Sequence, residues 1–466
     1  MVWLILATYV LLLAALSLRA RKRAGRSAEE FFVAGRSIGP LVLFLTLAAT
    51  NFSAFFFLGF AGAAWKFGLG QYGIMGLGTA LVPVSFYVIG RKVWRLGKEK
   101  GYLTAPELIG AELSSRSLRY LVLVVMVVFT IPYLLTQAVG AGMILSSLAG
   151  ADVVKVGAAT VILVVGGIVV LGGMRGSAWT DVAQGGVMIA AVFAAIFFVA
   201  HGLGGFSAAG QKAYAASPEH FARPGPGGYF TPLKWFSFLI LWSFVNPLFP
   251  QLFTRFYAAR SLRSLRASVW LYPLLVSFLF LAPVLIGVWA RGTNLSFGSP
   301  DMVLPAMVET FAPMWVHALV MTGALAALMS TADSQLLALS TMLTRDTGLR
   351  KNEVHVGRLL TFGLCVVVVG LVLVGFDTKA GIFTYLISTT FAGLVVLTPA
   401  TLVALYAKRI RPAAVIASIV AGEAAVVLIR LGVLPTFGLV DGIAALVVAA
   451  ATLGLFSIVL RIRRPH

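Results

Sequence analysis

Apolar stretches, broken at nearly regular intervals by short polar or basic connections, run through almost the whole chain. A helix needs about 20 apolar residues to cross a bilayer. Thirteen stretches fit that pattern, near residues 2–18, 40–64, 71–90, 119–148, 153–173, 177–200, 233–256, 269–290, 316–343, 358–375, 380–406, 413–433 and 438–460. Barrel-type alternation is nowhere visible, and only helices and closed barrels satisfy their backbone in lipid. The pattern predicts an all-α polytopic membrane protein with 13 transmembrane helices in one domain. Connections are short except for two Gly/Pro/Ala-rich ones, about 201–232 and 292–315, neither with room for a separate soluble domain.

Two of these stretches predict interrupted helices. The second reads Ala48-Ala49-Thr50-Asn51-Phe52-Ser53-Ala54, small and polar side chains that compete for backbone hydrogen bonds. The seventh reads Val245-Asn246-Pro247-Leu248-Phe249-Pro250-Gln251, where two prolines remove donors. They lie five spans apart and so run in opposite directions, as an inverted repeat of five helices requires; interrupted pairs of this kind point to a transporter's binding site. Ordinary kinked membrane helices also carry prolines and polar residues, so the breaks alone leave both readings open.

Composition removes the soluble alternatives. Only 11% of residues are charged, against about a quarter in a soluble domain. A formal charge of +20 would suggest a nucleic-acid partner in a soluble protein, but 28 of the 36 basic residues fall in alternate connections: 19–39, 91–119, Arg175, 255–268, 344–358, 407–412 and the tail. The other 8 are Lys66, Lys155, Lys212, Arg223, Lys234, Arg291, Lys379 and Arg430. By the positive-inside rule the amino terminus lies outside and the tail Arg461-Ile462-Arg463-Arg464 in the cytoplasm, with the bilayer as partner and no nucleic acid. The first stretch lacks a basic n-region and is followed by Arg19 to Arg26, so it reads as a retained helix. Cys365, the single cysteine, lies within a span, which leaves no disulfide framework and no thiol metal site.

A carboxylate at a helix centre costs about 2.5 to 3.5 kcal/mol on insertion scales, so Asp181, Asp333 and Glu423 each need a reason. In the ninth span Ala327, Ser330, Thr331 and Ser334 share a narrow arc, with Asp333 at its border and Thr341 continuing it. Such a stripe of oxygens suits sodium, with unwound carbonyls of the second span as further ligands; the plainer reading has each hydroxyl bonded to its own helix. Asp181 reads equally as a cation ligand or as a first-turn residue favoured by the helix dipole. Glu423 is expected to pair with Arg430 and is assigned no function. Gly68-Leu69-Gly70-Gln71-Tyr72-Gly73 matches a dinucleotide pattern, but no βαβ unit surrounds it, so it reads as a turn and close helix packing. The histidines are scattered, and no Walker A loop would couple transport to ATP.

At this point the chain resembles the sodium:solute symporter family over nearly its whole length. The resemblance is carried by Phe31-Phe32-Val33-Ala34-Gly35-Arg36, Trp179-Thr180-Asp181 with Gln184, Arg255-Phe256-Tyr257-Ala258-Ala259-Arg260-Ser261, and the Ser330 to Leu337 stretch. It implies a LeuT-like 5+5 inverted-repeat core: an extra helix and loop in 1–39, a first repeat in 40–200, a second in 233–406 and two further helices in 407–466. It also implies a main sodium site from the carbonyls of Ala49, Phe52 and Ala327 and the hydroxyls of Ser330 and Thr331. A second cation would use Asp181, Asp333 and Ser334, with Asp333 standing where relatives carry Ser or Thr. Solute would bind at the two breaks, through Thr50, Asn51, Ser53, Phe55, Phe56, Asn246, Pro247 and Gln251. Phe55, Phe56 and Met75 stand where the sugar branch is polar or acidic, and Asn51 where the proline branch has an acid.

These features lead to an expected function: no enzyme, but a sodium-coupled symporter of the cell membrane that imports a small organic solute by alternating access. The expected solute is a carboxylate such as a monocarboxylate or pantothenate, with proline or another amino acid as the alternative. Sodium is the coupling ion, with no organic cofactor and no obligate protein partner. A non-transporting solute sensor on the same fold is the rival of another class, although six residues after the last span leave no output domain.

Overall fold

Proline in the first turn, or a serine or threonine whose side chain accepts a backbone N–H, starts many of the helices where the apolar stretches begin. Pro40 and Pro232 sit in first turns, and Ser115, Thr231 and Ser261 are side-chain caps. The computed structural model describes residues 2–25, 27–349, 352–376, 380–407 and 409–462. The basic residues Arg26, Arg350, Lys351, Lys379, Lys408, Arg463 and Arg464 of the charge pattern lie outside the described residues.

The main helices begin with α1 (Val2–Ala24), α2 (Pro40–Asn51), α3 (Phe60–Phe67), α4 (Gly70–Lys100) and α5 (Ala105–Glu112). The chain continues through α6 (Arg116–Ala149), α7 (Val154–Gly202), α8 (Pro232–Val245), α9 (Pro250–Ala258) and α10 (Leu262–Trp289). It closes with α11 (Met314–Asp346), α12 (Glu353–Val374), α13 (Ile382–Tyr406), α14 (Pro412–Arg430) and α15 (Asp441–Ile462). Short helices at Phe206–Ala216 and Val303–Phe311 fold the two long connections onto the bundle.

Both predicted interruptions are present. The segments Pro40–Asn51 and Phe55–Phe67 bend by 57°, and Pro232–Leu248 and Pro250–Ala258 by 56°. Counting each bent pair as one crossing, length and apolarity return up to 12 spans among the described residues. The sequence pattern divides α7, whose 49 residues far exceed one crossing, into two of its thirteen stretches. Its first arm runs beside α12, with Lys155 Nζ 3.0 Å from the Leu373 carbonyl and the Cys365 thiol 3.6 Å from that of Ile162. Its second arm runs beside α11, where Gly323 meets Ala191, and ends with Gly202 against Phe311. The chain therefore turns back at Gly173, which has φ 51° and ψ −154°. A Cβ there would lie 2.6 Å from the Phe31 carbonyl oxygen, so only glycine fits the turn.

The connections divide between two faces. On the face rich in Arg and Lys, Ile38 N donates to Ala258 O at 3.1 Å and Arg260 N to Ile38 O at 2.8 Å, which ties the chain just after Phe31–Arg36 to the segment Arg255–Ser261. There α5 and the start of α6 are locked to the end of α11: Arg345 meets Glu107 at 2.8 Å, Arg119 of α6 meets Asp346 at 2.7 Å, and Thr104 donates to Asp346 at 2.8 Å. On the other face Lys66 reaches the Ala380 carbonyl at 3.2 Å, and the Gly68 turn packs on His220, as expected of a close-packed turn. Glu423 does not pair with Arg430. Seven residues along a helix separate the two by about 10 Å, and Arg430 instead donates to the carbonyl and hydroxyl of Ser388 at 3.2 Å.

Candidate functional site: an oxygen cluster beside a broken helix

The break in α2 starts where the helix runs out of donors. Phe52 N still reaches Ala48 O at 2.9 Å, but Phe52 itself is extended, with ψ 114°. The freed backbone groups then find side chains. Ala54 N donates to Gln137 Oε1 at 2.9 Å, and the Ser53 hydroxyl lies 3.1 Å from that of Tyr133.

On the other side of the break the carbonyls face α11. Ser330 Oγ lies 2.8 Å from Ala49 O and 3.0 Å from Ala327 O. Thr331 Oγ1 lies 3.0 Å from the carbonyl oxygens of Thr50, Phe52 and Ala327. All of these residues are buried. A hydroxyl carries one proton, so two protons serve four carbonyl oxygens, and the cluster is richer in acceptors than in donors. A bare cation complements that arrangement, and bonding within the helix alone does not describe it. Thr341 differs, since it turns to its own helix, 2.6 Å from Leu337 O.

One turn further along α11 lie the residues expected at a second cation position. Asp181, Asp333 and Ser334 do come together, but with a cation of the chain's own among them. Arg255, fully buried on α9, places Nη2 2.8 Å from Asp181 Oδ2 and 2.6 Å from Ser334 Oγ. Its Nε donates to Thr46 Oγ1 at 2.8 Å and its Nη1 to Gln251 O at 2.9 Å, while Thr46 also bonds Asp181. Asp333 Oδ1 accepts from Ser177 at 2.9 Å and Ser334 at 2.8 Å. Asp181 lies two turns past Gly173, too deep for the first-turn dipole reading. Sequence reasoning counted Arg255 with a connection. The usable signal was a basic residue one turn beyond Gln251, at the spacing that returns a side chain to the break.

The expected solute residues divide. Thr50 belongs to the oxygen cluster, its hydroxyl 3.2 Å from that of Ser334. Asn51 is bonded to Tyr272 of α10, and Phe56 packs edge-on against Phe280 at 4.7 Å. Phe55 turns the other way, into an aromatic group where its ring centroid lies 5.3 Å from Phe383, 5.5 Å from Trp242 and 5.2 Å from Phe391. Tyr133 and Phe249 extend that group, each within 5.6 Å of Phe391. Asn246 and Pro247 form the tight turn at the second break, Asn246 Nδ2 donating to Trp242 O at 2.9 Å. Among the described residues Asn246 Oδ1, Trp242 Nε1 and Gln251 Oε1 are buried without a hydrogen-bond partner. Trp242 and Phe249 belong to the second broken span, but Tyr133 and Gln137 come from α6, Tyr272 and Phe280 from α10, and Phe383 and Phe391 from α13, where neither break could flag them.

Residues 31–422 match the model of the sodium:solute symporter family. The chain is 27% identical over 347 residues to the sodium/pantothenate symporter of Escherichia coli strain K12, covering 73% of this chain and 71% of that protein. It is 24% identical over 447 residues to the sodium/proline symporter of Staphylococcus aureus strain JH9, covering 91% and 85%. The solved substrate-bound outward-open state of a Na+-coupled sialic acid symporter superposes with a TM-score of 0.83 over 98% of both chains, at 16% identity. That last likeness is one of fold.

Proposed function

This chain belongs to the sodium:solute symporter family, a multi-pass membrane protein of LeuT-like fold, and from that premise we propose that it imports a small organic carboxylate together with sodium. The observation that carries the ion half is the excess of carbonyl oxygens over hydroxyl protons around Ser330 and Thr331. Sodium bound to Ala49, Phe52, Ala327, Ser330 and Thr331 ties the broken helix to α11. That tie raises affinity for solute at the neighbouring breaks. Rocking of the repeat 40–200 against the repeat 233–406 then carries both inward, with the amino terminus outside and the tail in the cytoplasm.

The solute would lie between the breaks, against Ser53, Phe55, Asn246 and the rings of Tyr133, Trp242, Phe249 and Phe391. The hydroxyls of Ser53 and Tyr133 and the unpartnered Trp242 indole N–H are donors suited to a carboxylate, and the rings to a short apolar body. The unpartnered oxygens of Asn246 and Gln251 favour a second reading, an amino acid whose ammonium they would accept. Uptake into proteoliposomes under an inward sodium gradient, with labelled pantothenate, short monocarboxylates and proline, tests both. Accumulation of an acid above its outside concentration, abolished without sodium, is the expected result. Binding without uptake would leave a sensor, and proline alone would favour the second reading.

A further inference from the structure

We propose that Arg255 is a built-in cation filling the second ion position of this transporter, so that each chain binds a single sodium. The inference rests on the sodium-symport reading above and adds its stoichiometry.

Two of the three side chains expected to hold a second cation, Asp181 and Ser334, turn oxygens toward Arg255, with the Ser177 hydroxyl beside them. Arg255 Nη2 already lies 2.8 Å, 2.6 Å and 3.5 Å from them. A sodium ion touching Asp181 Oδ2 and Ser334 Oγ would have to occupy the space of that nitrogen. The guanidinium is not a passing occupant. Its Nε and Nη1 are held by Thr46 and by the Gln251 carbonyl, its side chain is 1% exposed, and an arginine stays charged at any physiological pH.

The same residue sits within one helical turn of the first ion cluster. Ser334 Oγ, which accepts from Arg255, lies 2.7 Å from the Ser330 carbonyl oxygen and 3.2 Å from the Thr50 hydroxyl. A fixed positive charge there repels a second monovalent ion and leaves the first site its own oxygens. Asp333 does not restore the position, because its Oδ1 accepts from the hydroxyls of Ser177 and Ser334. The guanidinium of Arg255 thus does the work of a mobile ion with a part of the chain.

The test is a count of bound sodium. Full-length protein in detergent is titrated with radioactive sodium and read by scintillation proximity, with no solute added. The wild type is expected to saturate at one ion per chain, and Arg255→Lys, which keeps the charge, also at one. Arg255→Ala and the milder Arg255→Gln, each checked for monodisperse elution, are expected to saturate at two. The double variant Arg255→Gln with Asp181→Asn should return to one. Two ions on the wild type overturn the proposal, as does a monodisperse Arg255→Gln or Arg255→Ala that still holds one. The wild-type count decides even where no variant folds. No sodium bound at all would instead sink the symport reading itself.

Discussion

The hydroxyl of Thr331 lies 3.0 Å from the carbonyl oxygen of Phe52, the residue at which α2 stops being a helix. An intact helix is thereby stitched to one that has lost its own donors, and the stitch uses one proton where several acceptors meet. Replacing Ser330 and Thr331 by Ala removes two of the proposed ligands, and loss of even about 1.4 kcal/mol is tenfold in affinity. Half-saturating sodium in uptake assays is expected to rise at least tenfold. Thr341→Ala, which loses only a bond to its own helix, serves as the control. Equal sodium dependence in both variants would remove the site.

Gln137 holds the far side of the same break by accepting from Ala54 N at 2.9 Å. Gln137→Met leaves that buried donor unsatisfied, which costs about 1–3 kcal/mol. Read at a pH low enough to keep a buried carboxyl neutral, the melting temperature in detergent should fall, while Gln137→Glu, which keeps an acceptor, should lose less. Equal melting of the two variants would mean that the Ala54 amide finds another partner.

The link between Glu107 and Arg345 closes the basic face over the end of α11. It is partly exposed, so its worth to overall stability is modest, but it joins a surface helix to α11, which carries the proposed ion ligands. Glu107→Gln should therefore favour states open on that face. With Cys365 replaced by Ser and a reporter introduced as Ser340→Cys, a buried position on α11, labelling by an impermeant maleimide should speed up several-fold. An unchanged rate would show that other contacts keep the face shut.

His220 lies in the connection at the opposite face, its Nε2 3.0 Å from the Trp65 carbonyl oxygen. Burial pushes its pKa below the ordinary value of histidine, and nearby Arg291 adds to that. The folded protein then binds this proton less readily than the unfolded chain, so stability rises with pH across the window below about 6.5 and is lost on acidification. Melting temperature measured from pH 8 to pH 5 should fall for the wild type and fall less for His220→Gln. Parallel curves would clear His220 of any part in acid sensitivity.

Helix positions and both interruptions were legible in the chain because lipid imposes long apolar runs and leaves broken backbone few places to go. The pairing of Ser330 and Thr331 with the α2 carbonyls followed from the arc they share and from the family resemblance. Arg255 was not legible as part of the site. Charge counting assigns a basic residue near the end of a span to the loop after it, and only packing shows that the side chain turns back into the protein. Glu423 was misread for a related reason: a shared helical face says nothing of distance along it. The helix at Ala105–Glu112 was missed although its start is written in the chain. Thr104 accepts from Glu107 N at 3.1 Å and Glu107 Oε2 from Leu103 N at 3.0 Å, the reciprocal cap that a Thr three residues before a Glu announces.

Because the Arg255 donors point in fixed directions within one plane, a shift of α9 against α2, α7 and α11 strains several hydrogen bonds at once. Thr46, Asp181 and Ser334 are held or let go nearly together, as a latch is. Inward movement of the second broken helix should accordingly be abrupt, a jump between two seated positions in place of a continuous glide.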